Sequence, residues 1–292
     1  GRHLLSTPFI SSTIAAQAIM RGGSEEQQAK WLPALAKGAI GTMALLDNED
    51  WGATDTSCLL STEGNNFTLQ GKKLLVNDAA VADFFVVLTK YQDSIALVVV
   101  EATQLANNAI SNRTLVDETK RAANVDFTGV TIESAAILAK GAEILPDVRL
   151  IGALLIAAEA TGCAAAALDT VVDYLTTRKQ FGRLIGSYQS LKHPTVEILI
   201  QMDSARTLIY HAATLIGDGK LSEDTEIACR MAKAQAAEAL SFAGDRAVQF
   251  HGGMGFTYDC DAMLYIRRAQ WSQHQYGDPQ HHRKLLASLL LD

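Results

Sequence analysis

The chain has 292 residues, of which 48% are hydrophobic and 20% are charged, as expected for a soluble globular protein with apolar side chains for at least two cores. Its net charge of -7 at pH 7, without a basic run of five or more residues, excludes a nucleic-acid-binding protein, which needs a basic face. No apolar stretch of eighteen residues is free of charge, so we predict no membrane span.

The N-terminal residues predict two helices. Apolar residues recur at helical spacing over residues 9–18, and Gly22-Gly23 ends the first helix. Ser24 and Gln27 match a capping box, in which each side chain satisfies a free amide at the start of the second helix. That helix is expected to run to Gly38.

The period of the apolar residues then changes from helical to alternating. Alternation or short β-branched runs predict strands at 67–69, 74–76, 84–88, 95–100 and 125–127. Gly71 lies at the predicted turn between the first two of these strands. Residues 39–145 therefore predict a compact β domain.

Beyond Pro146 the sequence predicts helices almost to its end. Three segments of more than twenty residues carry apolar stripes at helical spacing, joined by short connections rich in Gly and Asp. The third stripe comprises Ile227, Met231, Ala234 and Phe242. We predict an antiparallel bundle of four helices plus a C-terminal helix, with no β-strand within 150–250.

Two segments stand out from this bundle, and their order resembles the acyl-CoA dehydrogenase family. They are Arg178-Lys179-Gln180-Phe181-Gly182 and Gln249-Phe250-His251-Gly252-Gly253-Met254-Gly255-Phe256-Thr257. Further matches, in family order, are Gly1-Arg2, Glu25-Glu26-Gln27 with Trp31-Leu32-Pro33, Gly71-Lys72-Lys73, and Tyr265-Ile266-Arg267-Arg268-Ala269. The resemblance covers nearly the whole chain.

The resemblance implies an α+β multidomain fold with a helical segment, a central β-barrel domain and a C-terminal helical bundle. We place the domains at 1–38, 39–145 and 146–292. The first would be a remnant of the family's N-terminal helical domain, because the chain opens at Gly1 within an apolar pattern. The implied activity is α,β-desaturation of an acyl-CoA thioester by an FAD-dependent oxidoreductase of lipid metabolism.

The two segments contain residue types that suit a dinucleotide cofactor. A pyrophosphate needs a fixed cation, which Arg178 would supply, and close backbone amides, which Gly252 and Gly253 leave open. Phe181 offers a stacking face and Gln249 a bidentate amide. Without the family order, the favoured interpretation would be that Arg178 is a solvated helix-end charge and that the glycine pair is a helix cap.

In the family, the matching residues contact the adenine and pyrophosphate half of an FAD that a neighbouring subunit holds. The resemblance therefore implies cofactor-binding roles across a subunit interface. The residues that carry these roles here are Arg178, Gln180, Phe181, Gln249, Gly252 and Gly253.

The positions of the catalytic base depart from the family. The base removes the α proton of the thioester and must be a carboxylate. Most members carry it in a Tyr-Glu-Gly-Thr segment, where Tyr276 takes the glutamate position here. A minority carry it on the first bundle helix, where Gly152 and Ala153 stand. We therefore predict no catalytic residue in this chain, with Asp278 as the fallback candidate.

The flavin-ring segments of the β domain also depart from the family. The Thr-Glu-Pro segment reads Leu46-Asp47-Asn48, and the Trp-Ile-Thr segment reads Leu75-Val76-Asn77. The segments that would contact the flavin ring bound by the chain itself thus depart from the family. The motifs that would contact the FAD of a neighbouring subunit match the family. A division of labour between unlike subunits explains this pattern.

Three functional hypotheses follow. The leading one is the base-less partner in a heteromer of homologous subunits, an α2β2 tetramer that acts on a steroid side-chain CoA ester in steroid degradation. The others are a self-sufficient homomeric enzyme that uses Asp278, and a non-catalytic scaffold. The family implies an electron-transfer flavoprotein or a similar acceptor.

The histidines and cysteines suggest no further chemistry. Adjacent His281 and His282 lie on different helix faces and cannot chelate like an i, i+4 pair, so we predict no metal. The four cysteines form no C-x-x-C pair, which favours free thiols and a cytoplasmic location.

Overall fold

A computed structural model describes residues 1–52, 55–63 and 66–291. They divide into two compact units. The β unit comprises Ser6–Gly152 and Asp218–Lys220, and the helical unit comprises Gly1–Leu5, Ala153–Gly217 and Leu221–Asp292. The predicted domain limits at residues 38 and 145 stay predictions.

Two helices open the β unit, as predicted. They are α1 (Phe9–Gly22) and α2 (Glu25–Ala36). The capping box at the start of α2 is confirmed: the Gln27 amide donates to Ser24 Oγ at 3.3 Å, and the Ser24 amide donates to Gln27 Oε1 at 2.8 Å. Both amides lie in the first turn, where no helical carbonyl is available to them.

Within the described residues, nine strands follow. They are β1 (Gly41–Ala44), β2 (Leu59–Glu63), β3 (Asn66–Gln70), β4 (Lys72–Asn77), β5 (Phe84–Tyr91), β6 (Ser94–Glu101), β7 (Ile110–Arg113), β8 (Ala122–Asp126) and β9 (Val130–Ile132). One sheet has the order β1-β5-β2-β3-β9 with β6 paired to β5, and the other has the order β4-β8-β7. Strand β1 runs parallel to β5, whereas β5 and β6 form an antiparallel hairpin.

Gly71 does not make the turn of a hairpin. Strand β3 pairs with β2 and β9, whereas β4 pairs with β8, so Gly71 joins strands of different sheets. Its φ is +140°, and a Cβ there would lie 2.9 Å from Cys58 Cα. Only glycine fits this abrupt change of direction.

The two sheets share one hydrophobic core, since fully buried side chains from both belong to a single cluster. Phe85 of β5 meets Phe127 edge-on, with ring centroids 5.6 Å apart, a preferred geometry for aromatic pairs. The β-branched runs at 84–88 and 95–100 form the central hairpin of this core, as their composition predicted.

The helical part of the chain confirms the predicted bundle. Its helices are α3 (Gly141–Thr177), α4 (Gln189–Leu215), α5 (Glu223–His251), α6 (Ala262–His274) and α7 (Pro279–Leu290). Helix α3 starts before Pro146, which lies inside the helix and does not mark its boundary. The prediction of no strand within 150–250 was wrong in one detail: β10 (Lys179–Gln180) and β11 (Arg183–Leu184) form a minimal hairpin between α3 and α4.

The predicted apolar stripe of α5 was wrong for three of its four residues, whereas the fourth, Ala234, is buried. Met231 is 39% exposed, and Ile227 and Phe242 are half-buried. The buried face instead carries small residues: Ala228, Cys229, Ala232, Ala236, Ala239, Ala243 and Ala247. Helix α5 packs against α4, α6 and α7, and small side chains allow close approach on several sides, so side-chain size did not mark its inner face.

Helix α3 is long and apolar enough to cross a membrane by length and composition. However, 78% of its most apolar eighteen-residue window is buried inside the chain. The core helix of a globular unit has the same composition, so its apolar character is explained by its burial.

Candidate functional site

A cleft of about 770 Å³ lies in the helical unit, where the end of α3, the β10–β11 hairpin and the start of α4 meet the end of α5. The structure brings five of the six predicted cofactor-binding residues to its walls, although they come from two distant stretches of sequence. They are Arg178, Gln180, Phe181, Gly252 and Gly253. The sixth, Gln249, is exposed on α5 and does not line the cleft.

The β10–β11 hairpin presents Phe181 to the outside. Phe181 and Gly182 are its two turn residues, with φ of +52° and +79°, the signature of a type I′ turn. Gly182 suits this turn, and the Phe181 side chain is left 91% exposed. The hairpin is braced by Tyr188, whose hydroxyl donates to the Gln180 carbonyl at 3.4 Å.

The opposite wall is the end of α5. Gly252 has φ +59° and ψ -137°, a conformation that is almost restricted to glycine. A Cβ on Gly252 or Gly253 would meet nothing within 4 Å, so packing does not require these glycines. Their main chain is therefore open to a ligand. Gly252 also caps the end of α5, so the glycine pair both ends a helix and leaves its backbone accessible.

A stacked ring pair forms the floor of the cleft. The rings of Tyr174 and His251 lie 4.2 Å apart and nearly parallel, and His251 Nδ1 donates to the Ala247 carbonyl at 2.7 Å. Neither residue was predicted as a site residue, although His251 belongs to the second motif. A signal existed, because Tyr174 precedes Arg178 by one helical turn and His251 adjoins the glycine pair.

Arg178 is exposed at the end of α3. Among the described residues, its guanidinium makes no hydrogen bond or ion pair, whereas its backbone amide donates to the Tyr174 carbonyl and its carbonyl accepts from the Ile185 amide. The backbone of Arg178 is thus held by two hydrogen bonds, while its guanidinium can still bind a ligand. A guanidinium held this way suits a phosphate ligand.

The loop between α6 and α7 holds the position of the family's glutamate. Tyr276 is 8% exposed. Asp278 is the N-cap of α7 and accepts a hydrogen bond from the His281 amide at 2.8 Å. The fallback candidate therefore has a structural role, since its carboxylate satisfies a helix-start amide.

The alternative base position also lacks a carboxylate. Gly152 and Ala153 are buried within α3, and neither has an ionisable side chain. Neither family position in this chain therefore carries a group that could accept a proton as a carboxylate does.

The flavin-ring segments of the β unit use their polar groups internally. Leu46 is 3% exposed and has no hydrogen-bond donor on its side chain. Asp47 accepts from Lys73 Nζ at 2.9 Å, and the same ammonium donates to Thr56 Oγ1 at 2.8 Å. Burial lowers the pKa of Lys73, and the Asp47 hydrogen bond opposes this shift.

Leu75 stands where the family has its flavin-covering tryptophan. It lies at a register irregularity in β4, with φ +49°, and its amide donates to Asn124 Oδ1 at 3.2 Å. The backbone irregularity is thus anchored, but its side chain is aliphatic and offers no aromatic face.

A second cleft, of about 820 Å³, lies in the β unit between α2 and the end of the six-stranded sheet. Its polar groups satisfy one another: Lys30 pairs with Glu101 at 2.8 Å, and Gln27 Nε2 donates to the Ala135 carbonyl at 2.7 Å. It contains none of the predicted site residues. Over the described part of the chain, no three His, Cys, Asp or Glu side chains group as a metal site would require.

Comparison with known proteins gives consistent matches along the chain. Residues 149–291 match the sequence profile "Acyl-CoA dehydrogenase, C-terminal domain", and residues 2–39 match "Acyl-CoA dehydrogenase, N-terminal domain". An acyl-CoA dehydrogenase of Bacillus subtilis is 29% identical over 97% of this chain and 76% of its own length. Acyl-CoA dehydrogenase FadE12 of Mycobacterium tuberculosis is 30% identical over 91% of this chain and 70% of its own length.

The solved structures include a variant of the Tcur3481-Tcur3483 steroid ACAD. It is 25% identical, superposes with a TM-score of 0.86, and the match covers 99% of this chain and 78% of that one. The similarity thus extends through both units of the fold.

Proposed function

Because this chain belongs to the acyl-CoA dehydrogenase family, we propose that it is one subunit of a heteromeric enzyme whose homologous partner supplies the catalytic base. The family consists of oxidoreductases that act on acyl-CoA with FAD as cofactor. When bound, FAD accepts the hydride that leaves the acyl chain. The question specific to this chain is whether its own residues bind the cofactor, supply the catalytic base, or do both.

The observation that carries the proposal is the contrast between the cleft at Arg178 and the two base positions. The cleft keeps an exposed cation and an open glycine backbone. The base positions hold Tyr276 and Gly152, and the nearby Asp278 carboxylate caps α7. A general base needs a carboxylate free to reach the α proton, so the geometry favours a base from another chain.

The cleft fits the adenine and pyrophosphate half of FAD. Arg178 would hold a phosphate by charge-assisted hydrogen bonds, and the main chain at Gly252 and Gly253 would approach it closely. Phe181 would cover a ring with its exposed face. An exposed phenylalanine at the turn of a hairpin is well suited to reach a cofactor bound by a second subunit.

A bulky steroid side-chain CoA ester is our proposed substrate class. Its support is the similarity to the steroid ACAD structure over 99% of this chain. We also propose an α2β2 assembly, an electron-transfer flavoprotein or similar electron acceptor, and a cytoplasmic location. No disulfide joins the described cysteines, which suits a reducing compartment.

The test is to express this chain alone and together with the proposed homologous partner subunit, and then to measure bound FAD and turnover per subunit. We expect little FAD and no turnover from the chain alone, and FAD with turnover from the co-expressed assembly. Stoichiometric FAD and turnover from the chain alone would favour the self-sufficient enzyme. Assembly without any effect on the partner's flavin content or turnover would favour the scaffold.

A further inference from the structure

The loop between α6 and α7 has a backbone conformation that its own sequence does not favour. Tyr276 has φ +59° and Gly277 has φ +102°, so two consecutive residues are left-handed and one of them is an aromatic residue. Gln275 and Tyr276 are only 6% and 8% exposed. Such a loop persists only when surrounding groups hold it in place.

The side chain of Lys233, on α5, reaches both ends of this loop. Its side chain is buried, with 1% exposure, and its Nζ donates to the Gln273 carbonyl at 2.9 Å and to the Gly277 carbonyl at 3.0 Å. The first carbonyl belongs to the last turn of α6, where helical partners are missing. The second belongs to the residue before Asp278, the N-cap of α7. One side chain therefore joins both ends of the loop.

The environment of Lys233 is unfavourable for a charged amine, so its hydrogen bonds to the loop are needed to stabilise it there. Burial lowers its pKa to about 7, and the Asp278 carboxylate opposes this shift only in part. The neighbouring cation Arg230 is already paired with Glu226 at 2.6 Å. A buried amine is tolerated where its hydrogen bonds are made, and here they are made to the loop.

His282 completes the enclosure of the loop from α7. It is 1% exposed, and its ring lies against the loop, since a Cβ on Gly277 would be 3.1 Å from His282 Nε2. Burial and the nearby cations Lys233 and Arg230 lower the pKa of His282 to about 3, so its ring is neutral near neutral pH. Lys233 thus ties the loop to α5 through its hydrogen bonds, while His282 and Asp278 pack against the loop from α7.

We infer that Lys233 is a positioning residue whose two hydrogen bonds hold the Gln275–Gly277 loop in its left-handed conformation and so fix Tyr276 in place. The inference rests on the proposed function only where it equates Tyr276 with the family's glutamate position. The clamp itself is a property of this chain, and it explains how a loop without a carboxylate keeps a defined shape.

The experiment is amide hydrogen exchange of the full chain, as purified from co-expression, for wild type, Lys233→Met, Lys233→Arg and Lys73→Met. Lys73→Met is the matched control, because it removes another fully buried ammonium that does not contact the loop. We expect Lys233→Met to accelerate exchange at the Gly277 amide about ten- to a hundredfold, the shift expected for losing one or two hydrogen bonds to a charged donor. Peptides of α4 should be unchanged, and Lys233→Arg should restore part of the protection.

Unchanged exchange at Gly277 in Lys233→Met, or equal acceleration in Lys73→Met, would overturn the clamp. If Lys233→Met does not fold, the wild-type rate decides. Exchange at Gly277 as slow as in the α5 core supports the clamp, and exchange as fast as in the exposed 217–220 connection refutes it. None of these readings depends on flavin content, so failure of the clamp and failure of the proposed heteromer are separable.

Discussion

The Arg178 cleft and the Tyr276 loop lie in the same helical unit and use their polar groups in opposite ways. In the cleft, the Arg178 guanidinium makes no hydrogen bond or ion pair within the described residues, and Phe181 stands 91% exposed. In the loop, Asp278 caps a helix and Lys233 binds two carbonyls. Groups that are left unsatisfied at a surface are available to a ligand from outside, whereas groups consumed by the fold are not.

The largest expected effect tests whether the Tyr276 loop supplies the catalytic base through Asp278. Asp278→Asn should leave turnover within a few-fold of wild type, because asparagine caps a helix as well as aspartate does. Removing the glutamate at the equivalent position of the partner should lower turnover by ~10²–10⁴-fold, the usual loss for a positioned base. Steady-state rates of the co-expressed enzyme with an acyl-CoA substrate would show both.

The opposite result would be that Asp278→Asn alone abolishes turnover while assembly and flavin content stay intact. Asp278 would then be the base of this chain, and the loop would be a working catalytic segment.

The second effect is the pH dependence of the free energy of unfolding, which reports whether Lys233 is buried beneath the Tyr276 loop. Its pKa is about 7 in the folded chain against 10.5 ordinarily, so between these values the unfolded chain binds a proton that the folded chain does not. The free energy of unfolding should therefore rise with pH above about 7, by on the order of 3 kcal/mol up to pH 9.5. Lys233→Met should lack this rise.

Urea denaturation at several pH values would measure it, with Lys284→Met on the exposed face of α7 as the control that keeps the wild-type slope. Equal slopes in wild type and Lys233→Met would show that the amine is not buried in solution.

The third effect tests the cleft. Arg178→Ala should weaken FAD retention by ~1.5–3 kcal/mol, roughly ten- to a hundredfold in Kd, because a charged hydrogen bond to phosphate is lost. Lys179→Ala is the matched control, since it removes a neighbouring exposed cation of the same hairpin that does not line the cleft. Flavin absorbance after dialysis of the co-expressed enzyme gives the comparison.

Equal flavin loss in both variants would mean that the cleft contributes only a general positive charge. Unchanged flavin content in Arg178→Ala would remove the cleft from the proposed function altogether.

The smallest effect isolates the structural role of Asp278. Asp278→Ala should lower the free energy of unfolding by about 1 kcal/mol, because the cap of α7 is lost, while turnover per bound flavin is retained. Asp278→Asn should keep the wild-type stability. Thermal unfolding beside flavin-normalised rates would separate the cap from any catalytic use of the carboxylate.

Local patterns made much of the fold predictable. The capping box at Ser24 and Gln27 involves groups three residues apart, so its hydrogen bonds follow from the sequence of one turn. The change from alternating to helical periodicity likewise located the sheets and the bundle. The failures were positions whose role depends on distant partners: Gly71, which changes sheets, and α5, whose inner face is alanine.

The site was predictable in its residues but not in its arrangement. The motifs at Arg178 and Gly252 named two walls of one cleft, yet the Tyr174–His251 pair that forms its floor went unnoticed. Stacking between residues on two helices depends on how the helices cross, which periodicity does not specify.

The family, the element types and the absence of a carboxylate at the base positions follow from the amino-acid sequence alone, since each depends on residue identity or on neighbours along the chain. That Asp278 is a cap and that Lys233 reaches Gly277 is visible only in the folded chain. Those roles require α5, α6 and α7 to be packed together, because a side chain acquires its hydrogen-bond partners from the elements that surround it and not from its place in the sequence.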